Sequence, residues 1–158
     1  LRLPRSQNGA AGLMTTTTTP EQTSAIGASI ANRLQPGDVV LLIGDLGAGK
    51  TTLVQGIGRA LGITVPLQSP TFTILAEYQA VLGSDPITLA HLDLYRLEPG
   101  ADLFSSGVTE VIDREDGVAL IEWPDRLSGD LDAPTWTVTI EHLGGDSRQI
   151  TVAEPDRG

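Results

Sequence analysis

Nine consecutive residues, Gly44 to Thr52 (GDLGAGKTT), bring together three glycines, one amine and two hydroxyls. Lys50 is the only lysine in a chain of 158 residues that carries nine arginines. Gly44, Gly49, Lys50 and Thr51 satisfy G-x-x-x-x-G-K-[ST], the pattern of a loop that cradles phosphates. The residue types follow from the chemistry. Backbone that wraps an anion turns successive N–H groups inward through conformations a β-carbon obstructs, and a helix that follows aims its positive end at the anion. Lys50 is then placed for the β- and γ-phosphates of a nucleotide and the Thr51 hydroxyl for Mg²⁺, with Asp45, Leu46, Gly47, Ala48 and Thr52 completing the cradle. The plainer alternative is a glycine-rich turn with a solvated lysine. A compact ammonium in a chain that otherwise uses arginine favours the phosphate reading.

Such a loop needs carboxylates near the metal, and in doubly wound sheets ligands gather at the carboxyl ends of strands. Glu122 follows Val118-Ala119-Leu120-Ile121, so it reads either as a metal-coupled acid at a strand end or as a solvated carboxylate at an ordinary strand exit. Asp93 lies in ITLAHLDLY, in phase with His91 and Tyr95 and between two leucines, where an unpaired charge is costly. A cation, a hydrated Mg²⁺ or an ion pair with Arg59 or Arg126 would compensate it. His91 reads as a weak base candidate or as a satisfied histidine packed in the sheet. Thr71, in Ser69-Pro70-Thr71-Phe72, occupies the place where nucleotide switches sense a γ-phosphate, though Ser-Pro is also a common turn. Trp123 adjoins Glu122 and either stacks on a ligand or partner or caps the core.

The elements that must position these groups are legible in outline. Thr19-Pro20-Glu21-Gln22 matches a capping box with proline in the first turn, and Ile26, Ile30 and Leu34 then recur every four residues, a helix stopped by Gln35-Pro36-Gly37. Asp38 to Gly44 (DVVLLIG) is the β-branched and leucine run of a strand buried on both faces. From Lys50 to Leu61, residues Leu53, Ile57 and Leu61 share one helical face, and Gly62 ends it. Strands are expected over Phe72 to Tyr78, Ile87 to Tyr95 and Gly117 to Trp123, with at most a short helix between Leu97 and Gly107. WTVTIEHL and SRQITVA around Gly144-Gly145-Asp146 form a terminal hairpin. The order gives an α/β fold: a P-loop NTPase-like three-layer arrangement with a mainly parallel central sheet and antiparallel additions, including the C-terminal hairpin.

Composition narrows the function. With no cysteine, a thiol nucleophile, a disulfide framework and a Cys-based zinc site are excluded. No run reaches the roughly 18 apolar residues of a membrane span, and a soluble cytoplasmic protein is expected. Met14 reads as a native start, so residues 1–18 are assigned to added residues and a flexible threonine leader, and 19–158 to one P-loop ATPase domain. Without Arg2 and Arg5, 8 basic residues face 20 acidic ones, a charge of −12. Such a surface repels a phosphate backbone and suits docking on another protein.

GDLGAGKTT, SPTFTILAEY, HLDLYRL and LIEWPDRL, in that order and at these separations, resemble the TsaE (YjeE) ATPases of bacterial tRNA threonylcarbamoyladenosine synthesis. The likeness runs from about Thr19 to Val152. It implies ATP and Mg²⁺ as cofactors, phosphate and metal contacts from Lys50 and Thr51, Glu122 as a metal ligand, roles for Asp93 and Trp123 in turnover, and Thr71 as a switch threonine. It further implies slow ATP turnover by the chain alone and action on a complex of TsaD and TsaB, with tRNA met only through them and no membrane. Two other readings stand beside it: a small-molecule P-loop kinase, against which no cluster of arginines forms a lid, and a nucleotide-dependent binding switch without significant catalysis. No N-K-x-D-type segment exists to read guanine, so adenine is favoured.

Overall fold

The computed structural model describes residues 12–45, 48–67, 75–95, 108–126, 131 and 133–157. The first strand, β1 (Leu13–Thr17), leads into helix α1 (Pro20–Ala31). As the capping box predicts, Thr19 is the N-cap and its hydroxyl accepts from the Gln22 amide at 3.1 Å. The reciprocal bond runs one residue further upstream, from the Thr18 amide to Gln22 Oε1 at 2.7 Å. The helix ends before the Gln35-Pro36-Gly37 stop, with Asn32 as C-cap, and Leu34 is buried from the turn that follows.

Strand β2 (Val39–Ile43), helix α2 (Lys50–Ala60), strands β3 (Leu75–Leu82), β4 (Asp85–Asp93) and β5 (Gly117–Glu122), and the hairpin β6 (Thr135–Gly144) and β7 (Ser147–Ala153) follow in chain order. Helix α3 (Val108–Ile112) precedes β5. The seven strands form one sheet in the order β1-β7-β6-β2-β5-β4-β3. Its four central strands, β6, β2, β5 and β4, are parallel, and β1, β7 and β3 add antiparallel edges. This is the expected mainly parallel sheet with an antiparallel terminal hairpin.

Alternation along the central strands fills two cores. Val40, Leu42, Leu89 and Leu120 pack against Ile30 of α1 and Leu53 and Ile57 of α2, while Val39, Leu41, Leu92 and Ile121 meet Val108, Val111 and Ile112 of α3 on the other face. Each fully buried aliphatic side chain stabilises the fold by about 1.5–3 kcal/mol, which is why β2 and β5, at the centre of the sheet, carry almost no polar residues. Helices α1 and α2 touch backbone to backbone: a β-carbon on Gly56 would stand 2.2 Å from the Ser24 carbonyl oxygen, and one on Gly27 2.2 Å from that of Leu53.

One sequence expectation needs correction. The threonine tract expected as a flexible leader is strand β1 as far as Thr17, with Leu13 opposite Val152 and Thr17 opposite Arg148, and the Thr17 hydroxyl lies 2.8 Å from that of Thr23. The short helix of this region lies at 108–112, just beyond Gly107, and the segment 97–107 where it was sought lies outside the described residues. Its sequence, VTEVI, is poor in helix formers, and burial of Val108, Val111 and Ile112 on one face overrides that propensity.

Candidate functional site

Strand β2 delivers the glycine loop to the carboxyl edge of the sheet, and α2 begins at Lys50. Gly49, the N-cap, has φ 106°, a left-handed conformation open to glycine and strained for other residues. The Ala48 amide donates to the Asp45 carbonyl at 3.0 Å, closing the turn. The loop therefore enters the helix with the first amides of α2 directed outward along its axis, the arrangement that favours an anion. Leu46, Gly47 and Thr71, all expected in the site, lie outside the described residues.

Lys50 is 6 % exposed, an unusual position for an ammonium. Its Nζ lies 3.9 Å from Glu122 Oε1, the one anionic group within 4 Å among the described residues, and 4.5 Å from the centre of the Trp123 ring. The reach is a consequence of β2 and β5 being adjacent and parallel, with Leu42 opposite Glu122. Glu122 itself is 4 % exposed, so the solvated-exit reading is excluded. Its Oε2 lies 2.7 Å from His91 Nε2. Parallel pairing of β4 with β5 sets His91 opposite Leu120 and Asp93 opposite Glu122.

Asp93 is half-buried and its Oδ1 accepts from the Tyr95 amide at 3.0 Å. Neither Arg59 nor Arg126 pairs with it: among the described residues no ion pair reaches Asp93, and Arg59 donates instead to Ser24 Oγ at 2.6 Å. Trp123 packs on the α3-side core, as its core-capping reading has it, while its ring faces Lys50 and meets Tyr95 with centroids 4.9 Å apart. Its φ of 59° makes it the one non-glycine residue with positive φ among those described. Pro124 disfavours the right-handed helical region at the residue before it, and the chain turns at once into a single 3₁₀ turn, Pro124–Arg126. Holding tryptophan there costs roughly 1–2 kcal/mol, a cost typical of binding sites.

A cavity of about 260 Å³ opens over this group, lined among others by Gly44, Asp45, Lys50, Trp123 and Asp125. Mg²⁺ fits the donors present. No cluster of three or more potential ligands exists among the described residues, which disfavours a resident all-protein metal cage. One hydroxyl, Thr51 at the exposed start of α2, and one buried carboxylate, Glu122, suit an ion that takes most of its ligands from phosphate and water.

One neighbour escaped sequence reasoning. Arg148 reaches the loop from β7, its Nε 3.6 Å from where a Gly49 β-carbon would stand, and with Thr19, Thr52 and Asp146 it lines a crevice of about 50 Å³. No local signal marks it, because the approach depends on where β7 lies. His91 was legible as in phase with Asp93, but its bond to Glu122 depends on the β4–β5 register.

A glycine loop and a buried lysine at the carboxyl ends of parallel strands, between helices on either face, place the chain in the class of three-layer α/β proteins built around such a loop. A profile of the family described as threonylcarbamoyl adenosine biosynthesis protein TsaE matches residues 17–150. The chain is 40 % identical over 135 residues to the tRNA threonylcarbamoyladenosine biosynthesis protein TsaE of Bacillus subtilis, covering 85 % of this chain and 81 % of that one. It is 40 % identical to the TsaE of Treponema pallidum over 84 % of this chain and 94 % of the relative, and 34 % identical to that of Mycobacterium tuberculosis H37Rv over 94 % and 91 %. The crystal structure of Bacillus subtilis YdiB superposes with a TM-score of 0.72 at 35 % identity, covering 91 % of this chain and 86 % of that one. The chain belongs to the TsaE family.

Proposed function

We propose that this chain binds ATP with Mg²⁺ at the 44–52 loop and hydrolyses it in support of threonylcarbamoyladenosine modification of tRNA, acting on a TsaD–TsaB-type transferase complex. The observation that carries the nucleotide reading is Lys50: the chain's single lysine, buried at the head of α2 behind a left-handed Gly49, with its amine turned toward a strand-end carboxylate. A buried ammonium whose nearest anion among the described residues stands at 3.9 Å is poorly compensated, and a phosphate chain supplies the missing charge. The pathway reading rests on the family, whose relatives are named for that biosynthesis.

In this reading the loop amides and Lys50 bind and orient the β- and γ-phosphates, and Thr51 and Glu122 hold Mg²⁺, which when bound draws negative charge from the phosphoryl oxygens. Trp123 lines the cavity and is backed by Tyr95. Asp93, beside Glu122 on β4, is placed to hold a water or a proton near the metal face. The acidic surface leaves tRNA to the partner proteins. Calorimetry and turnover test the assignment. Lys50→Ala abolishes the heat of ATP binding, whereas Glu122→Ala lowers Mg²⁺-dependent turnover far more than nucleotide affinity; wild-type turnover in either variant sinks these roles. Hydrolysis rises when TsaD–TsaB-type proteins and tRNA are added, and a rate indifferent to them refutes the partner assignment.

A further inference from the structure

We propose that His91 is a positioning residue for Glu122, fixing the carboxylate so that its second oxygen stays directed at the lysine and metal side of the site; this rests on the Mg²⁺–nucleotide reading above. Both groups are buried, His91 at 1 % and Glu122 at 4 % exposure, and His91 Nε2 lies 2.7 Å from Glu122 Oε2. The other carboxylate oxygen, Oε1, is the one that faces Lys50 Nζ at 3.9 Å. One oxygen is therefore engaged by β4 and the other is presented to the glycine loop.

The tautomer follows from the surroundings. His91 Nδ1 is buried and has no hydrogen-bond partner among the described residues. With the proton on Nε2, the ring donates to Glu122 and leaves only an unfilled acceptor on Nδ1. The reverse tautomer would set two lone pairs against each other at 2.7 Å and bury an N–H with no acceptor. His91 is thus a one-donor anchor aimed at a single atom, with no competing partner among the described residues to draw the ring away. The anchor is rigid because it is carried by paired strands: β4 and β5 are hydrogen-bonded from Thr88–Gly117 to Asp93–Glu122. A glutamate in this place has three side-chain torsions to order, and a fixed donor behind a metal-directed carboxylate removes that freedom before the ion arrives.

The test uses the full chain and titration calorimetry of ATP with and without Mg²⁺, reading the gain in affinity that the ion confers. In glutamine the side-chain amide falls where His91 Nε2 stands; in asparagine it falls nearer Nδ1 and does not reach Glu122. His91→Asn is expected to cut the Mg²⁺-dependent gain by about tenfold while leaving Mg²⁺-free ATP affinity within about twofold of wild type, and His91→Gln to retain most of the gain. On a Glu122→Ala background, His91→Asn should change nothing further. Equal gains in His91→Asn and wild type overturn the proposal, as does an equal loss in His91→Gln or an additional loss on the Glu122→Ala background. A wild-type chain that binds no ATP sinks the parent reading and this one with it, whereas normal Mg²⁺-assisted binding by wild type and His91→Asn alike overturns this one alone.

Discussion

At the scale of single residues, Lys50 combines two properties that ordinary stability would keep apart: it is charged and it is buried. Its compensation within the described fold is thin, a carboxylate oxygen at 3.9 Å and an aromatic face at 4.5 Å. Lys50→Met, which keeps the apolar stem and removes the charge, is therefore expected to lower ATP affinity by on the order of 10–100-fold while unfolding in urea at the same midpoint or a higher one. A loss of stability beyond about 2 kcal/mol would show instead that the ammonium is a structural partner of Glu122.

At the scale of elements, the geometry depends on how closely α1 and α2 approach. Gly56 faces the Ser24 carbonyl and Gly27 the Leu53 carbonyl, both at distances that no β-carbon tolerates. Gly56→Ala must force the helices apart and shift the start of α2, where Lys50 sits; a destabilisation of about 1–3 kcal/mol is expected by chemical denaturation, with weaker ATP binding alongside. Thr19→Ala removes the cap of α1 and is expected to cost about 1 kcal/mol with no change in nucleotide affinity. These elements were legible because their signals are local: a capping box for α1, a 3.6-residue period for α2, turn residues around the terminal hairpin. What escaped was set by contacts distant in sequence. β1 carries a threonine run with no apolar alternation and is a strand only because β7 offers it an edge. The His91–Glu122 bond joins residues 31 apart through strand register. Lys50 and Glu122 were readable as a pair because a loop motif and a strand-end acid share one rule of placement.

At the scale of the whole molecule, the end of the sheet opposite the site is locked by its own ion cluster. Asp38, 1 % exposed, accepts from the Gln35 amide at 3.0 Å, from Trp136 Nε1 at 2.9 Å and from Arg157 through both carboxylate oxygens. Glu154 pairs with Arg33 at the end of α1, so residues 154–157 strap the first helix to the first central strand. Asp38→Ala strips three donors of their acceptor and is expected to destabilise by about 3 kcal/mol, whereas removal of Arg157 costs less because its guanidinium is a third exposed. The hydrogen bond from Arg157 to Asp38 holds the guanidinium pKa above its usual value. A raised pKa contributes stability that is complete below the ordinary value and is lost only as pH climbs through the raised one. The strap should accordingly hold without weakening from neutrality to about pH 10, which denaturation midpoints of wild type and Arg157→Ala across that range will check.

The pairing of Leu13 with Val152 has a practical corollary. Both ends of the described chain depart from the amino-terminal edge of the parallel strands, beneath the sheet, while Lys50, Glu122 and Trp123 crown the opposite rim. A protein tethered to a bead or a sensor chip close to Leu13 or to Ala153 thus holds the cavity around Lys50 toward the bulk fluid. Capture experiments with candidate assemblies can be anchored from both ends in turn and should return the same answer.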